Sequence, residues 1–79
     1  MDKKEILARV NEIFKEVFDD ETLVITEETT AQDIEDWDSF EHINLIVAIE
    51  QNFKIKFVME EVSGMKNVGE MINIIAGRI

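Results

Sequence analysis

Apolar positions in residues 3–18 recur with the spacing of one helical face. Ile6, Leu7, Val10, Ile13, Phe14, Val17 and Phe18 fall together, while Lys3, Lys4, Glu5, Arg9, Glu12 and Glu16 fall elsewhere. The pattern predicts an amphipathic helix. Burying a large apolar side chain is worth about 1.5 to 3 kcal/mol before conformational entropy is set against it, so such a helix needs a partner surface. Residues 19–38 show no sustained period, although Leu23, Val24, Ile25 and Ile34 supply apolar anchors. Connections of this length in small domains tend to be functional or to hold a short turn of helix, expected here around residues 30–34.

Asp38 followed three residues later by Glu41 is a capping-box-like start, and it predicts a helix from Ser39 to about Asn52. Projected on a helical wheel, Leu45, Ile49, Phe53, Ile46, Ile43, Val47 and Phe40 span about 220°, wider than one core-facing stripe, so the edges of that arc are expected to be partly exposed. Glu41, Asn44, Ala48 and Gln51 take the solvent side. KIKF at residues 54–57 alternates like a strand, but with no second run to pair with it reads as extended loop. VMEEVSG fits a short helix stopped by Gly64. Asn67 with Glu70 then caps a final helix that groups Val68, Met71, Ile72, Ile75 and Ile79 on one face. The expected fold class is all-α, a four-helix bundle of three principal helices and one short one. A long loop joins the first and second helices, and residues 1–79 form a single domain.

Composition narrows the function. A chain of 79 residues buries only about 60% of the surface its unfolded form exposes, and the absence of cysteine leaves neither disulfides nor thiolate metal sites to reinforce it. No apolar run approaches a membrane span, and MDKKEILARV lacks the uninterrupted apolar core of a signal peptide, so a cytoplasmic location is expected. Eighteen acidic against eight basic side chains give a formal charge of -10, which repels nucleic acid and anionic membranes and favours basic protein partners. Residues 16–53 hold twelve Asp or Glu and no Lys or Arg, so one side of the molecule carries the negative field.

Ser39 stands between that acidic run and the second helix. His42, three residues on, invites a comparison with a serine–histidine nucleophile, but there is no glycine-rich elbow and no oxyanion donor set, and the histidine is expected on a solvated helix face. No catalytic residue is assigned. The acids Asp33, Glu35, Asp36 and Asp38 match no register of a calcium loop, and no metal site is assigned. Serine at a helix start is commonly there for hydrogen bonding alone. Here Asp38 already supplies the capping oxygen, and a hydroxyl at the first helical position projects outward, where a phosphodiester would meet unpaired N–H groups and the positive end of the dipole.

At these residues the sequence resembles the acyl carrier protein family, over residues 6–75. DSFEHINLIVAIEQNFKIKF looks like the family's Asp-Ser-Leu motif and recognition helix, closing on Glu50 and Phe53. TTAQDIEDW resembles the acidic approach to that motif, and KNVGEMINII resembles the start of the final helix. The resemblance implies 4'-phosphopantetheine esterified to Ser39, taken from coenzyme A by a separate phosphopantetheinyl transferase, with Asp38 as part of the attachment motif. It implies acyl groups carried as thioesters to acyl-loading, condensing or acyltransferase enzymes with basic docking surfaces, and a monomer with no catalysis of its own. Trp37, Phe40, Glu41, Asn44, Glu50 and Gln51 are the candidate docking residues. Ile43, Ile49, Val68 and Ile72 are the candidate walls of an acyl-chain pocket.

Departures from the family pattern shape the expected pathway. Phe40 replaces the usual leucine, Trp37 stands where a small residue is common and Asp36 at a frequent glycine position. Asn44 and Gln51 replace acids, Lys54 and Lys56 add positive charge, and Val58 replaces a common proline. These changes favour a specialised carrier, for a modified lipid, surface polysaccharide or polyketide-like product, over a housekeeping one. The alternative is an acidic helical interaction module that is never modified, against which the intact Asp38-Ser39 pair argues.

Overall fold

Three of the helices begin on the same local device. The Asp2 carboxylate accepts from the Glu5 N–H at 2.9 Å, the Asp38 carboxylate from Glu41 at 2.8 Å, and the Asn67 amide oxygen from Glu70 at 2.9 Å. Each cap satisfies one of the N–H groups a helix start leaves open. The computed structural model describes residues 1–79, with α1 at Lys3–Val17, α2 at Ser39–Phe53, α3 at Met59–Gly64 and α4 at Val68–Ala76. There is no strand, and KIKF is extended, with Lys54 capping α2 in the left-handed region at φ 57°. The molecule measures 29 × 25 × 22 Å along its principal axes.

Packing follows the apolar faces. α1 lies against both α2 and α4, and Ile6, Val10, Phe14, Leu45, Ile49, Val68, Met71, Ile72 and Ile75 are solvent-free at their meeting. α3 has no fully buried residue and rests on the core through half-buried Val62. As the wide arc of α2 predicts, Leu45, Ile46, Ile49 and Phe53 are buried, while Phe40, Ile43 and Val47 are exposed along its edge.

The long connection is held at named points. Asn11 on α1 accepts from the Ile25 N–H at 2.7 Å and donates to the Leu23 carbonyl at 3.3 Å. Val68 and Gly69 donate to the carbonyls of Thr29 and Glu27 at 2.9 and 2.8 Å, so the loop backbone occupies open donors at the start of α4. That close approach favours a glycine, because a Cβ on residue 69 would sit 3.0 Å from the Glu27 oxygen, tighter than ordinary van der Waals contact. The helical turn expected at residues 30–34 is instead a hydrogen-bonded turn, in which the Asp33 carboxylate takes the Thr30 N–H at 2.9 Å. Ile79 does not share the α4 face: the helix ends at Ala76, and Ile79 is half exposed beyond it.

Candidate functional site

Ser39 is the first residue of α2 and is exposed. With Asp38 bound to the Glu41 N–H and the Asp38 carbonyl accepting from His42 at 2.9 Å, the N–H groups of Ser39 and Phe40 face outward with no partner in the chain. The serine hydroxyl is thereby freed from capping and set beside two open donors at the positive end of a helix of 15 residues.

Beside it lies a cleft of about 610 Å³ between the start of α2, α3 and the α3–α4 connection. Its α2 side is formed by Trp37, Asp38, Ser39, His42 and Ile43, its α3 side by Met59, Val62 and Ser63. Met65, Lys66 and Asn67 of the connection and Met71 of α4 complete it, with Ala31 from the long loop. The lining is mainly apolar and rich in methionine, a side chain that adapts to irregular contents. No group of three or more His, Cys, Asp or Glu is arranged to hold a metal ion, and no helix is long and apolar enough to cross a membrane.

Several expected placements change. Of the four candidate acyl-pocket residues, Ile43 lines the cleft and Ile49, Val68 and Ile72 lie in the bundle interior. Trp37 does not stand on the docking face. It is 9% exposed, set edge-on to Phe14 with ring centroids 5.2 Å apart and 6.3 Å from Phe18, because a large indole gains most by joining the aromatic end of α1. His42 is not on a solvated face either. It is half-buried, lines the cleft and is hydrogen-bonded through both ring nitrogens, to the Trp37 indole and the Val62 carbonyl, each at 3.0 Å.

The other docking candidates are accessible to differing degrees. Phe40 is 76% exposed, and Asn44 and Gln51 are exposed. Glu41 is half-buried and accepts from the Asn44 amide at 2.8 Å. Glu50 is also half-buried, and one of its carboxylate oxygens accepts from the Phe57 N–H at 2.9 Å, which pins the extended loop.

No protein-family model matches the chain. It is 33% identical over 76 residues to the acyl carrier protein of Acidothermus cellulolyticus, spanning 96% of this chain and 90% of that protein. It is 32% identical over 73 residues to the meromycolate extension acyl carrier protein of Mycobacterium leprae, spanning 92% of this chain and 64% of that protein. Among solved structures, the solution structure of holo acyl carrier protein from Geobacter metallireducens matches with a TM-score of 0.86 and 44% identity, over 91% of this chain and 83% of that one. The chain belongs to the acyl carrier protein family. Its role is that of an acyl carrier working through a 4'-phosphopantetheine arm, and it is not an enzyme.

Proposed function

We propose that Ser39 is the point at which the arm is attached and that this chain is a specialised carrier. The observation that supports the first part is the exposed Ser39 hydroxyl at the start of α2, with capping delegated to Asp38 and a mainly apolar cleft alongside. The residues fit the group: the open N–H groups of Ser39 and Phe40 suit a phosphodiester, and the cleft suits an apolar chain. When bound, the arm supplies the thiol that holds acyl groups as thioesters. The chain's own contribution is presentation, because Ser39 is fixed on a helix packed against α1 while its surroundings supply charge for docking.

Incubation with coenzyme A and a broad-specificity phosphopantetheinyl transferase, followed by intact mass measurement, tests the attachment. The wild type should gain one arm and Ser39→Ala none. An unmodified wild type, or a modified Ser39→Ala, refutes the assignment and favours the unmodified interaction module.

The specialised role draws support from the α2 surface. Phe40, Ile43 and Val47 form an exposed apolar edge, and the neighbouring exposed positions 44 and 51 carry amides instead of acids. The partners in this reading are a transferase and acyl-loading, condensing or acyltransferase enzymes whose basic surfaces meet Asp38 and Glu41. One relative is itself named for meromycolate extension, which fits a modified-lipid pathway for a chain of this kind.

A further inference from the structure

α3 is the least anchored helix, yet it forms one wall of the cleft beside Ser39. Two polar ties hold it. At the surface, the Arg78 guanidinium donates two parallel hydrogen bonds to the Glu61 carboxylate, at 2.5 and 2.6 Å. Inside the cleft, His42 of α2 reaches the Val62 carbonyl. That carbonyl lies in the last turn of a six-residue helix, where no intrahelical donor is available to it.

The tautomer of His42 follows from its neighbours. An indole N–H can only donate, so the Nδ1 atom that receives the Trp37 Nε1–H must be an unprotonated acceptor. A neutral imidazole then carries its proton on Nε2, which donates to Val62. Trp37 is itself fixed by Phe14, and its ring stacks on the imidazole with centroids 5.8 Å apart and planes inclined by 27°. A continuous set of contacts, Phe14 to Trp37 to His42 to Val62, therefore runs from the rigid interior of α1 to the loosely held α3.

We infer that His42 is a positioning residue that holds α3 closed over the cleft beside Ser39, with Trp37 fixing its tautomer, so that an apolar chain carried on Ser39 is retained only while this bridge is made. The inference rests on the attachment reading above. The cleft's Ile43, Met59, Val62, Met65 and Met71 give such a chain an apolar lining. Exit past α3 requires the His42–Val62 bond to break, since it is the hydrogen bond that links α2 to α3 across the cleft. A chain too short to enter gains nothing from the bridge.

The test uses acetyl and octanoyl arms transferred from their coenzyme A thioesters to the full chain, in wild type, His42→Leu, His42→Gln and Trp37→Phe. Mass measurement comes first: failure to load counts against Ser39, not against the bridge. Hydroxylamine cleavage then reads exposure of each thioester. In His42→Leu the octanoyl-to-acetyl rate ratio should rise about two- to tenfold, the worth of one net hydrogen bond. His42→Gln, whose amide N–H can still donate to Val62, should restore the wild-type ratio, and Trp37→Phe should fall between. Trp37 is the only tryptophan, so its fluorescence reports the bridge directly. Its emission should differ between octanoyl and acetyl forms of the wild type and not between those of His42→Leu. An unchanged rate ratio in His42→Leu, or equal ratios in the Leu and Gln variants, overturns the inference. Should His42→Leu lose its helical circular dichroism, His42→Gln against Trp37→Phe decides: the ratio must be larger in Trp37→Phe, and equality overturns the inference.

Discussion

Asn11 should be worth more than its place on a helix surface implies. Its half-buried amide is the sole side-chain tie between α1 and the first part of the long connection, accepting from Ile25 at 2.7 Å and donating to Leu23 at 3.3 Å. In Asn11→Ala, the N–H of buried Ile25 loses its partner, at a cost of about 1 to 3 kcal/mol, whereas the Leu23 carbonyl can turn to water for little. Alanine returns about 0.5 kcal/mol through its better helix propensity. The net loss is about 0.5 to 2.5 kcal/mol, equivalent to a fall in Tm of roughly 2 to 20 °C for a domain of this size. Urea and thermal unfolding followed by circular dichroism measure it. Asn11→Asp, which keeps the acceptor for Ile25 and loses only the longer bond to Leu23, should recover most of the difference. If Asn11→Ala melts within a degree of wild type, or if Asp is no better than Ala, the loop is held by its apolar anchors and the amide is incidental.

Gly69→Ala should be destabilising despite alanine's helix preference, because the added Cβ would press on the Glu27 carbonyl that caps α4; a melting temperature at or above wild type contradicts this. The hydrogen bond from Arg78, with a second from the Val58 N–H, holds the Glu61 carboxyl below its ordinary value of 4.5. A depressed carboxylate stabilises the fold above its unfolded value and loses that contribution as pH falls through the lowered one, so the protection of α3 amides relative to their intrinsic exchange should fall on acidification below 4.5, and Glu61→Gln should remove that step. Replacing Asn44 and Gln51 by Glu in the holo protein should make it a better substrate for a housekeeping fatty-acid ketosynthase. Two exposed ion pairs at about 0.2 to 1 kcal/mol each give a factor of about 2 to 30, and no gain in kcat/KM rejects the specialised-carrier reading of this face.

How much of this could be read from the sequence depends on the range of the interaction concerned. The helix starts were legible because an oxygen at Asp38 or Asn67 and the N–H it takes lie three residues apart. The exposed edge of α2 was legible because seven apolar residues cannot all face one core. Periodicity put Ile49, Val68 and Ile72 in the bundle interior, where they lie, but it does not say which residues border the cleft beside Ser39. Asn11 went unseen, since a polar residue on an amphipathic helix reads as solvent-facing until its partner 14 residues away is known. The Trp37–His42 pair did have a local signal. With Asp38 as the cap they occupy the flanking and fourth helical positions, those of a hydrophobic staple, where the two side chains are expected to meet. A surface-directed reading of Trp37 overlooked that rule.

The charge on α2 is less uniform than the composition indicates. Glu41 and Glu50 are half-buried and each also accepts a hydrogen bond, from Asn44 and Phe57, so the most exposed acids lie upstream, at Glu35, Asp36 and Asp38, the last with one carboxylate oxygen on the Glu41 N–H. At the opposite end of the helix, Lys54 and Lys56 are exposed, and neither belongs to the chain's two ion pairs, Lys15–Glu12 and Arg78–Glu61. The helix dipole places positive partial charge at Ser39 and negative at Lys54, opposing the side-chain charges at both ends but reaching only about one turn. Side-chain charges act over a Debye length of about 8 Å at physiological ionic strength, so a basic partner is drawn to the Ser39 end and repelled from the other. Orientation in the proposed role then precedes contact, and the exposed edge of Phe40, Ile43 and Val47 is what remains for the docked partner to bury.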